Sequence, residues 1–430
     1  MADSENFHFK NEAGEPQTIK SKDLVASIAN QHGSSTIIYL EHEGDDTSAT
    51  PKLTIAQGDA PHTAQPPDTS DTETHIIVST ASGTNKATSF YAQVVQPVLE
   101  TLYPKGHLNF ILHHTKSPET IKELASDVFL PTANAGTSVR IILLSGDGGI
   151  IDLLNSLLSS PTSKTHKTPQ VVLIPLGTAN ALYHSINATT TDSTWGLRNL
   201  ASTHTKPLPI FTASFSSGAR ILVDEARSEQ ALPKHPITHL PTLHGAVVCS
   251  WGMHASLVAD SDTAEYRKFG VQRFQMAAKE ALYPSDGSAP HTYRATVSIL
   301  QNSEWTPLMD DAAQEHMYVL ATMVSNLEKP LCISPASKPL DGSLHLVQFG
   351  PTTGDEAMRI MGLAYQGGKH VDDPLVRYES LEGLRIAFEG KEGEGRWRRI
   401  CVDGTIVRLE EDGWVEVRKV ERRVLDVVVG

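Results

Sequence analysis

The chain has 430 residues, a formal net charge of −14 at pH 7 and a pI of about 5.7. This length allows two or three domains, each with its own core. The acidic balance argues against a general nucleic-acid-binding protein, which would need a basic face. The three cysteines, Cys249, Cys332 and Cys401, are far apart. Their odd number and spacing indicate a reducing compartment and exclude a disulfide framework or a cysteine zinc site.

No membrane-spanning or secretory segment is predicted. The first ten residues contain no apolar h-region, and the most apolar stretch, 245–259, is interrupted by Ser, His and Gly. A bilayer span needs roughly 18 to 20 apolar residues. Adjacent His113 and His114 would point to opposite faces of a strand, which disfavours a metal site there. The sequence predicts a cytoplasmic protein that touches a membrane, if at all, from one side.

Residues 1–72 are predicted to be an accessory region. It contains one expected strand at 35–43. The stretch 58–74 is rich in Pro, Thr and Asp, a composition typical of a flexible linker.

An α/β domain is predicted for residues 73–207, because strands and helices alternate there four times. The expected strands are 75–80, 107–114, 139–144 and 170–175. Helical signals follow each strand, among them the stripe Phe90, Val94, Val98 and Leu102 and a Ser-Pro-Glu start at 117. This alternation predicts a parallel sheet covered by helices on both faces, a three-layer fold.

A β-sandwich domain is predicted for residues 208–430. The sequence there consists of short strands and turns, with two helices near 263–282 and 355–366. The stretch 225–242 is expected to be an exposed loop. We expect Trp251 to lie in the core of this domain.

Two glycine-rich turns follow neighbouring predicted strands, and each opens a helix. They are SGDGG at 145–149 and PLGTAN at 175–180, and a weaker third turn lies at 79–87. Ligands of parallel sheets bind beyond the carboxyl ends of the strands, where glycine lets backbone amides approach a phosphate. Asp147, in the first turn, would then accept a proton or bind a metal. The alternative is a tight turn with a helix-capping aspartate.

These paired turns resemble the G-G-D-G and P-x-G-T/S-x-N motifs of the diacylglycerol kinase catalytic family, which includes sphingosine and ceramide kinases. The pair is highly specific in this order, about thirty residues apart. The stretch 250–274 is similar to the W-G to Y-R-x-x-G-x-x-R-F segment of sphingosine kinases. The resemblance resumes at 340–349 and 401–407 and so covers roughly 75–430. It implies a fold like that of diacylglycerol kinases and NAD kinases.

The resemblance also implies roles for individual residues. Asp147 matches the catalytic base, and Asp147 and Asp403 match positions near the metal, Mg²⁺. Ser256 falls where sphingosine kinases hold the lipid amine, and Asp260 lies close by, so both are expected to bind lipid. The residues that match ATP-binding positions are Ser82, Gly83, Lys86, Thr115, Ser145, Gly146, Gly148, Gly177, Thr178, Asn180, Arg267, Arg273 and Asp403.

The sequence departs from the family pattern at several of these places. Ser79-Thr80 stands where the family has Asn-Pro, and Thr405 stands where the C-terminal D-G-E motif has Glu. Asp152 replaces the usual Glu on the helix after the first turn. Ser256 replaces the Asp that holds the lipid amine. These changes motivate the alternative of a catalytically degenerate scaffold.

The function implied by the resemblance is phosphoryl transfer from ATP, with Mg²⁺, to a hydroxyl of a sphingoid base, ceramide or diacylglycerol. The partners implied are a lipid substrate and a peripheral membrane contact, with no nucleic acid, and a homodimer stays open. The stretch 390–400, with Trp397 between Arg396, Arg398 and Arg399, is a candidate docking patch or an exposed hairpin. The alternatives to a lipid kinase are a degenerate lipid-binding protein and an NAD kinase-like enzyme.

Overall fold

The chain folds into two compact units in this computed structural model. The model describes residues 5–30, 33–42, 49–66, 71–103, 110–308 and 314–430. The first unit comprises 1–177, 189–207 and 423–430, and the second comprises 178–188 and 208–422. The second unit is therefore inserted into the first. No helix among the described residues has the length and hydropathy needed to cross a bilayer.

The N-terminal region forms a five-stranded antiparallel sheet, which is more structure than the single predicted strand. Its strands are Asn6–Asn11, Pro16–Lys20, Leu24–Ala29, Ser35–Glu41 and Lys52–Asp59, paired in the order second, first, fifth, fourth, third. Alternate residues such as Val25 and Ile38 are buried in the same cluster as Phe90 and Val94. This sheet therefore packs on the first helix of the α/β sheet and belongs to the first unit.

A six-stranded sheet forms the centre of the first unit. In spatial order its strands are Thr205–Pro207, Asp426–Val428, Gln170–Pro175, Ser138–Ser145, Thr72–Val78 and Phe110–His114. All neighbours are parallel except the pair formed by Thr205–Pro207 and Asp426–Val428. The four strands expected from the sequence are present, although 107–109 of the expected strand 107–114 lie outside the described residues. The outer neighbour of Gln170–Pro175 is Asp426–Val428, which lies far along the sequence.

Helices follow the strands of this sheet. The first helical run, Ala87–Phe90, Tyr91–Val95 and Gln96–Leu102, has a π-helical middle and buries the predicted stripe of Phe90, Val94, Val98 and Leu102. The second run consists of Thr120–Leu124, Ala125–Phe129 and Leu130–Asn134. The other helices described in this unit are the α-helix Asp147–Leu158, the 3₁₀ helix Leu197–Ala201 and the short 3₁₀ turn Ser21–Asp23. The second run begins at Thr120 and not directly after Ser117, the expected cap.

The second unit is a sandwich of two antiparallel sheets. The six-stranded sheet runs Thr242–Gly245, Ile210–Phe215, Trp414–Val420, Gly383–Ala387, Thr296–Gln301 and Glu304–Pro307. The eight-stranded sheet runs Ser228–Ala231, Arg220–Val223, Thr405–Arg408, Arg399–Val402, Val248–Gly252, Tyr318–Thr322, Leu344–Phe349 and Val376–Leu381. Apolar side chains from both sheets, including the fully buried Trp251, form one core between them.

Short elements complete the second unit. Its helices are Ala181–Ile186, Met253–Asp260, Ala264–Arg267, Gln272–Leu282, Gly354–Ala364 and the 3₁₀ turns Lys369–Asp372 and Gly395–Trp397. Two small two-stranded sheets pair Tyr293–Arg294 with Glu315–His316 and Asn326–Glu328 with Leu331–Cys332. The stretch 225–242, expected to be a loop, contains the edge strand Ser228–Ala231.

Candidate nucleotide and lipid site

The three glycine-containing turns of the first unit start from the same edge of the parallel sheet. Val78 pairs with both Leu144 and His114, and Ser145 pairs with Pro175, so neighbouring strands end level with one another. Parallel strands point their carboxyl ends the same way, which is where ligands of such sheets bind. The turns after Val78, Ser145 and Pro175 therefore lie side by side.

The turns at 79–87 and 175–180 are in direct contact. Gly83 has φ +55°, and a Cβ built there would lie 2.5 Å from the Leu176 carbonyl oxygen and 2.9 Å from the Gly177 carbonyl. No larger side chain fits this close approach of two backbones. The Leu176 N–H donates to the Ser145 carbonyl at 3.0 Å. Backbone contacts thus connect all three turns.

Thr115 holds the turn at 79–87 against the neighbouring strand through hydrogen bonds. Its hydroxyl accepts a hydrogen bond from the Thr80 N–H at 2.9 Å, and the Thr80 hydroxyl donates to the Thr115 carbonyl at 2.9 Å. The Ser79 N–H donates to the Leu144 carbonyl at 3.0 Å. Ser79 and Thr80, which replace the family's Asn-Pro, therefore make ordered bonds. Lys86 directly precedes the helix that follows.

Asp147 is the first residue of the helix Asp147–Leu158 and is half-buried. The helix forms because its apolar residues are spaced for one face, and Ile150, Ile151, Leu153, Leu154 and Leu157 are buried. Gly146 precedes it with extended backbone (φ −97°, ψ −170°). A carboxylate in the first turn is favoured by the helix dipole, and the amides there are oriented to bind an anion.

Gly148 and Gly149 have different reasons to be glycine. Gly148 is exposed and a Cβ there would meet nothing within 4 Å, whereas a Cβ on Gly149 would lie 2.7 Å from the Ser145 hydroxyl oxygen. Packing explains Gly149 but not Gly148. A ligand that approaches the backbone closely would explain Gly148.

We expect Gly148→Ala to leave the fold intact and to raise the free energy of unfolding by up to about 1 kcal/mol, because alanine is the better helix former. Nucleotide affinity should fall, since the new methyl group occupies the approach to the amides. Denaturant unfolding and calorimetric titration with Mg·ATP measure the two effects. Gly149→Ala is the comparison and should lower stability. Unchanged nucleotide affinity in Gly148→Ala would remove this turn from the binding site.

Thr178 and Asn180 belong to the second unit, unlike Gly177. Asn180 has left-handed backbone (φ 53°, ψ 45°) and begins the helix Ala181–Ile186. Asparagine tolerates this conformation better than most residues. The helix is held by Ser185, whose hydroxyl accepts the Asn326 N–H at 2.9 Å and donates to the Asn326 carbonyl at 3.1 Å.

Arg267 and Arg273 converge on one carboxylate. A turn at Gly270 (φ +56°) separates their two helices and provides the bend that their sequence spacing requires. Arg267 donates to Asp262 from Nε at 3.0 Å and Nη2 at 2.9 Å, and Arg273 donates from Nη1 at 3.3 Å. Asp262 raises the pKa of Arg267, while burial lowers that of Arg273. The shared Asp262 was not expected from the sequence.

The Asp403 carboxylate is bonded to backbone amides of the second unit. It accepts the N–H of Ala246 at 2.6 Å, of Val247 at 3.1 Å and of Val248. Asp403 itself has φ 47° at the turn between Arg399–Val402 and Thr405–Arg408. These charge-assisted hydrogen bonds to three amides stabilise the contact between the turn at Asp403 and the segment 246–248.

Ser256 and Asp260 lie one helical turn apart on Met253–Asp260. Ser256 is buried and its hydroxyl accepts a hydrogen bond from Tyr293 at 2.9 Å. Asp260 binds Arg399 at 2.8 Å and lies 4.0 Å from Arg396. Ser256 therefore contributes a neutral hydroxyl, and the charge of Asp260 is already paired.

The candidate docking patch at 390–400 does not present its three arginines on the surface. Arg398 and Arg399 are buried, and Arg398 donates to the carbonyls of Glu392, Gly393 and Leu409. Trp397 stacks on His291 with ring centroids 4.0 Å apart and packs against the sandwich core. Arg398 therefore satisfies backbone carbonyls and Arg399 donates to Asp260, so that of the three arginines only Arg396 is exposed.

The residues that the structure describes contain no cluster of three or more His, Cys, Asp or Glu side chains suited to a metal. His113 contacts the buried His75 at 3.0 Å, and burial lowers the pKa of both rings. Magnesium is commonly held by one or two carboxylates together with nucleotide phosphates. Asp147 suits that mode, whereas the Asp403 oxygens already accept amides.

Asp152 is a half-buried acid on the same helix as Asp147. Burial raises its pKa to about 6, and Lys122 at 3.9 Å opposes the shift. The folded state then binds a proton that the unfolded state has lost, so the free energy of unfolding falls as the pH rises from about 4 to about 6.

We expect Asp152→Asn to remove this slope and to stabilise the protein by about 1–2 kcal/mol at pH 8. Urea unfolding at pH 4.5 and pH 8 tests this, and a parallel pH dependence in both proteins would contradict it.

Comparison with known proteins agrees with this architecture. Residues 73–213 match the diacylglycerol kinase catalytic domain. The chain is 21% identical to human sphingosine kinase 1 over 371 residues, 78% of this chain and 86% of that protein, and 21% identical to the mouse protein over 370 residues with the same coverage.

Two crystal structures described as diacylglycerol kinases of Bacillus anthracis str. Sterne share the fold. The first has a TM-score of 0.54 and 16% identity and covers 83% of this chain and 95% of its own. The second has a TM-score of 0.50 and 15% identity and covers 83% and 97%. The chain is therefore similar to proteins with a diacylglycerol kinase catalytic domain over 73–213, and over most of its length to sphingosine kinase 1.

Proposed function

We propose that the protein is an ATP-dependent lipid kinase that phosphorylates a hydroxyl of a sphingoid base or a related lipid. The observation that carries this proposal is the meeting of three turns at one sheet edge beside Asp147, with Gly83 against Gly177 and Leu176 bonded to Ser145. The exposed Gly148, which packing does not require, supports a ligand at this edge. The similarity to sphingosine kinase 1 supports a sphingoid base as the acceptor.

In this proposal the backbone amides of the turns hold the nucleotide phosphates. Asp147 accepts the proton of the lipid hydroxyl as the hydroxyl oxygen bonds to the γ-phosphorus, and the bond from that phosphorus to the β–γ bridging oxygen breaks, leaving ADP. Mg²⁺, held by Asp147 and the phosphates, would neutralise phosphate charge. The lipid is drawn from a membrane by a peripheral contact.

A degenerate lipid-binding scaffold is the second candidate. Its support is that Asp262 already occupies both arginines and that three amides occupy Asp403. A degenerate scaffold would show no thermal or calorimetric response to Mg·ATP. The kinase proposal requires such a response.

The decisive experiment is transfer of the labelled γ-phosphate of ATP to a panel of acceptors: sphinganine, phytosphingosine, ceramide, diacylglycerol and NAD. We expect a phosphorylated sphingoid base and no phosphorylated NAD. A labelled NAD product would instead favour the NAD kinase-like alternative. Mg·ATP binding without any labelled product on the panel would refute the proposed acceptor class, and absence of both would favour the degenerate scaffold.

A further inference from the structure

Arg399 has an unused pair of hydrogen-bond donors inside the second unit. It lies on the strand Arg399–Val402 and is 7% exposed. Its Nη1 donates to Asp260 at 2.8 Å. Its Nε and Nη2 atoms are buried and have no hydrogen-bond partner in the part of the chain that the structure describes. Leaving donors of a buried cation without acceptors destabilises the folded state, because their desolvation is not compensated.

The two donors without partners, Nε and Nη2, form the edge of the guanidinium group that binds oxyanions through two parallel hydrogen bonds. Nε and Nη2 point the same way and can bind both oxygens of one carboxylate or phosphate. Five other arginines among the described residues bind a carboxylate through this edge: Arg267 with Asp262, Arg294 with Glu315, Arg359 with Glu356, Arg408 with Glu229 and Arg423 with Asp426. Arg399 is buried, and no carboxylate among the described residues accepts hydrogen bonds from its Nε and Nη2 atoms.

The surroundings of Arg399 add polar groups and a positive balance. Arg396, about half exposed, lies 4.0 Å from Asp260, so two cations face one carboxylate. Tyr293 is close enough that both arginines oppose the rise of its pKa, which burial brings to about 12. Its hydroxyl donates to Ser256 at 2.9 Å. Of these side chains, two are cations and one, Asp260, is an acid.

We propose that the Nε–Nη2 edge of Arg399 is an oxyanion-binding site that takes a phosphate or a carboxylate group. The ligand would accept both free donors of Arg399 and would displace the exposed Arg396 side chain, which then serves as a second cationic partner. The Asp260 carboxylate, already bonded to Nη1, would hold the guanidinium in place. This site lies wholly in the second unit and does not depend on the proposed kinase activity.

The test is a calorimetric titration of the full chain with inorganic phosphate, with and without Arg399→Lys. Lysine keeps the charge but loses the paired donors, so phosphate should bind at least about tenfold more weakly. The matched control is Arg408→Lys. Arg408 pairs with Arg399 across the sheet, and its edge is occupied by Glu229, so this variant should keep the wild-type affinity. Equal affinity in Arg399→Lys and the wild type would overturn the proposal.

A crystal structure of the wild-type protein in phosphate tests the same site without any variant. We expect phosphate oxygens within hydrogen-bond distance of Nε and Nη2. A water at this edge, or phosphate only at the turns of the first unit, would overturn the proposal even if Arg399→Lys failed to fold.

Vesicle binding separates two sources of the oxyanion. Phosphatidylcholine vesicles with and without phosphatidic acid distinguish a lipid headgroup from free phosphate. Arg399-dependent binding of either probe supports the site, and binding of neither overturns it. Loss of kinase activity on every lipid, with phosphate binding intact, would refute the proposed function and leave this site standing.

Discussion

Replacing Asp147 by Asn should lower the turnover of a lipid kinase by about 10²–10⁴-fold, the usual contribution of a general base. The amide is nearly the same size but cannot accept the hydroxyl proton. Asp147 is half-buried at the start of its helix, where Asn is also tolerated, so the fold should persist. Initial rates with saturating ATP and a sphingoid base, together with the circular dichroism spectrum and melting temperature, measure both effects.

Asp127→Asn provides the matched control for this experiment. It makes the same chemical change on an exposed helical residue of the same unit, bonded only locally to Ser126. Its activity should equal that of the wild type. Full lipid kinase turnover in Asp147→Asn would refute the assigned base, and an equal loss in Asp127→Asn would point to an indirect effect.

Replacing Asp403 by Ala should lower the free energy of unfolding of the second unit by about 3 kcal/mol or more. The change removes the acceptor of the N–H groups of Ala246, Val247 and Val248 in one step. Asp403→Asn keeps one carbonyl acceptor and should cost less. Urea unfolding followed by tryptophan fluorescence reports on this unit because Trp251 lies in its core.

Asp412→Ala is the control for Asp403→Ala, because Asp412 is an exposed acid in another turn of the same unit. Its midpoint should match that of the wild type. A wild-type unfolding midpoint in Asp403→Ala, combined with weaker Mg·ATP binding, would assign Asp403 to the nucleotide and not to the fold.

Elements with a strong local signal were predictable from the sequence. The helix stripe from Phe90 to Leu102 and the buried strand before Ser145 rest on hydrophobic periodicity. The comparisons confirm the fold class and the resemblance to the diacylglycerol kinase catalytic domain. The site residues remain predictions, although the structure brings Gly83, Ser145 and Gly177 together. Glycine-rich turns can be recognised in a sequence because their backbone conformation requires glycine.

Features that depend on distant pairing were not predictable. The polar strands Asn6–Asn11 and Pro16–Lys20 have weak alternation, and they form because neighbours in the sheet supply their hydrogen bonds. The charge of Arg399 suggested that its side chain would be exposed on the surface. In the structure it is buried on its strand and bonded to Asp260 of the helix Met253–Asp260. Which acid an arginine finds, as with Asp262, is set by tertiary structure and not by local sequence.

The insertion of the second unit into the first has a consequence for how the chain is made. The strand Gln170–Pro175 gains its outer neighbour, Asp426–Val428, only after 208–422 have been synthesised. Until then its backbone edge is open to pairing with another nascent chain. A fragment cut at the limits of the matched catalytic domain would keep that edge exposed for good, so we expect such a fragment to aggregate where the full chain stays dispersed.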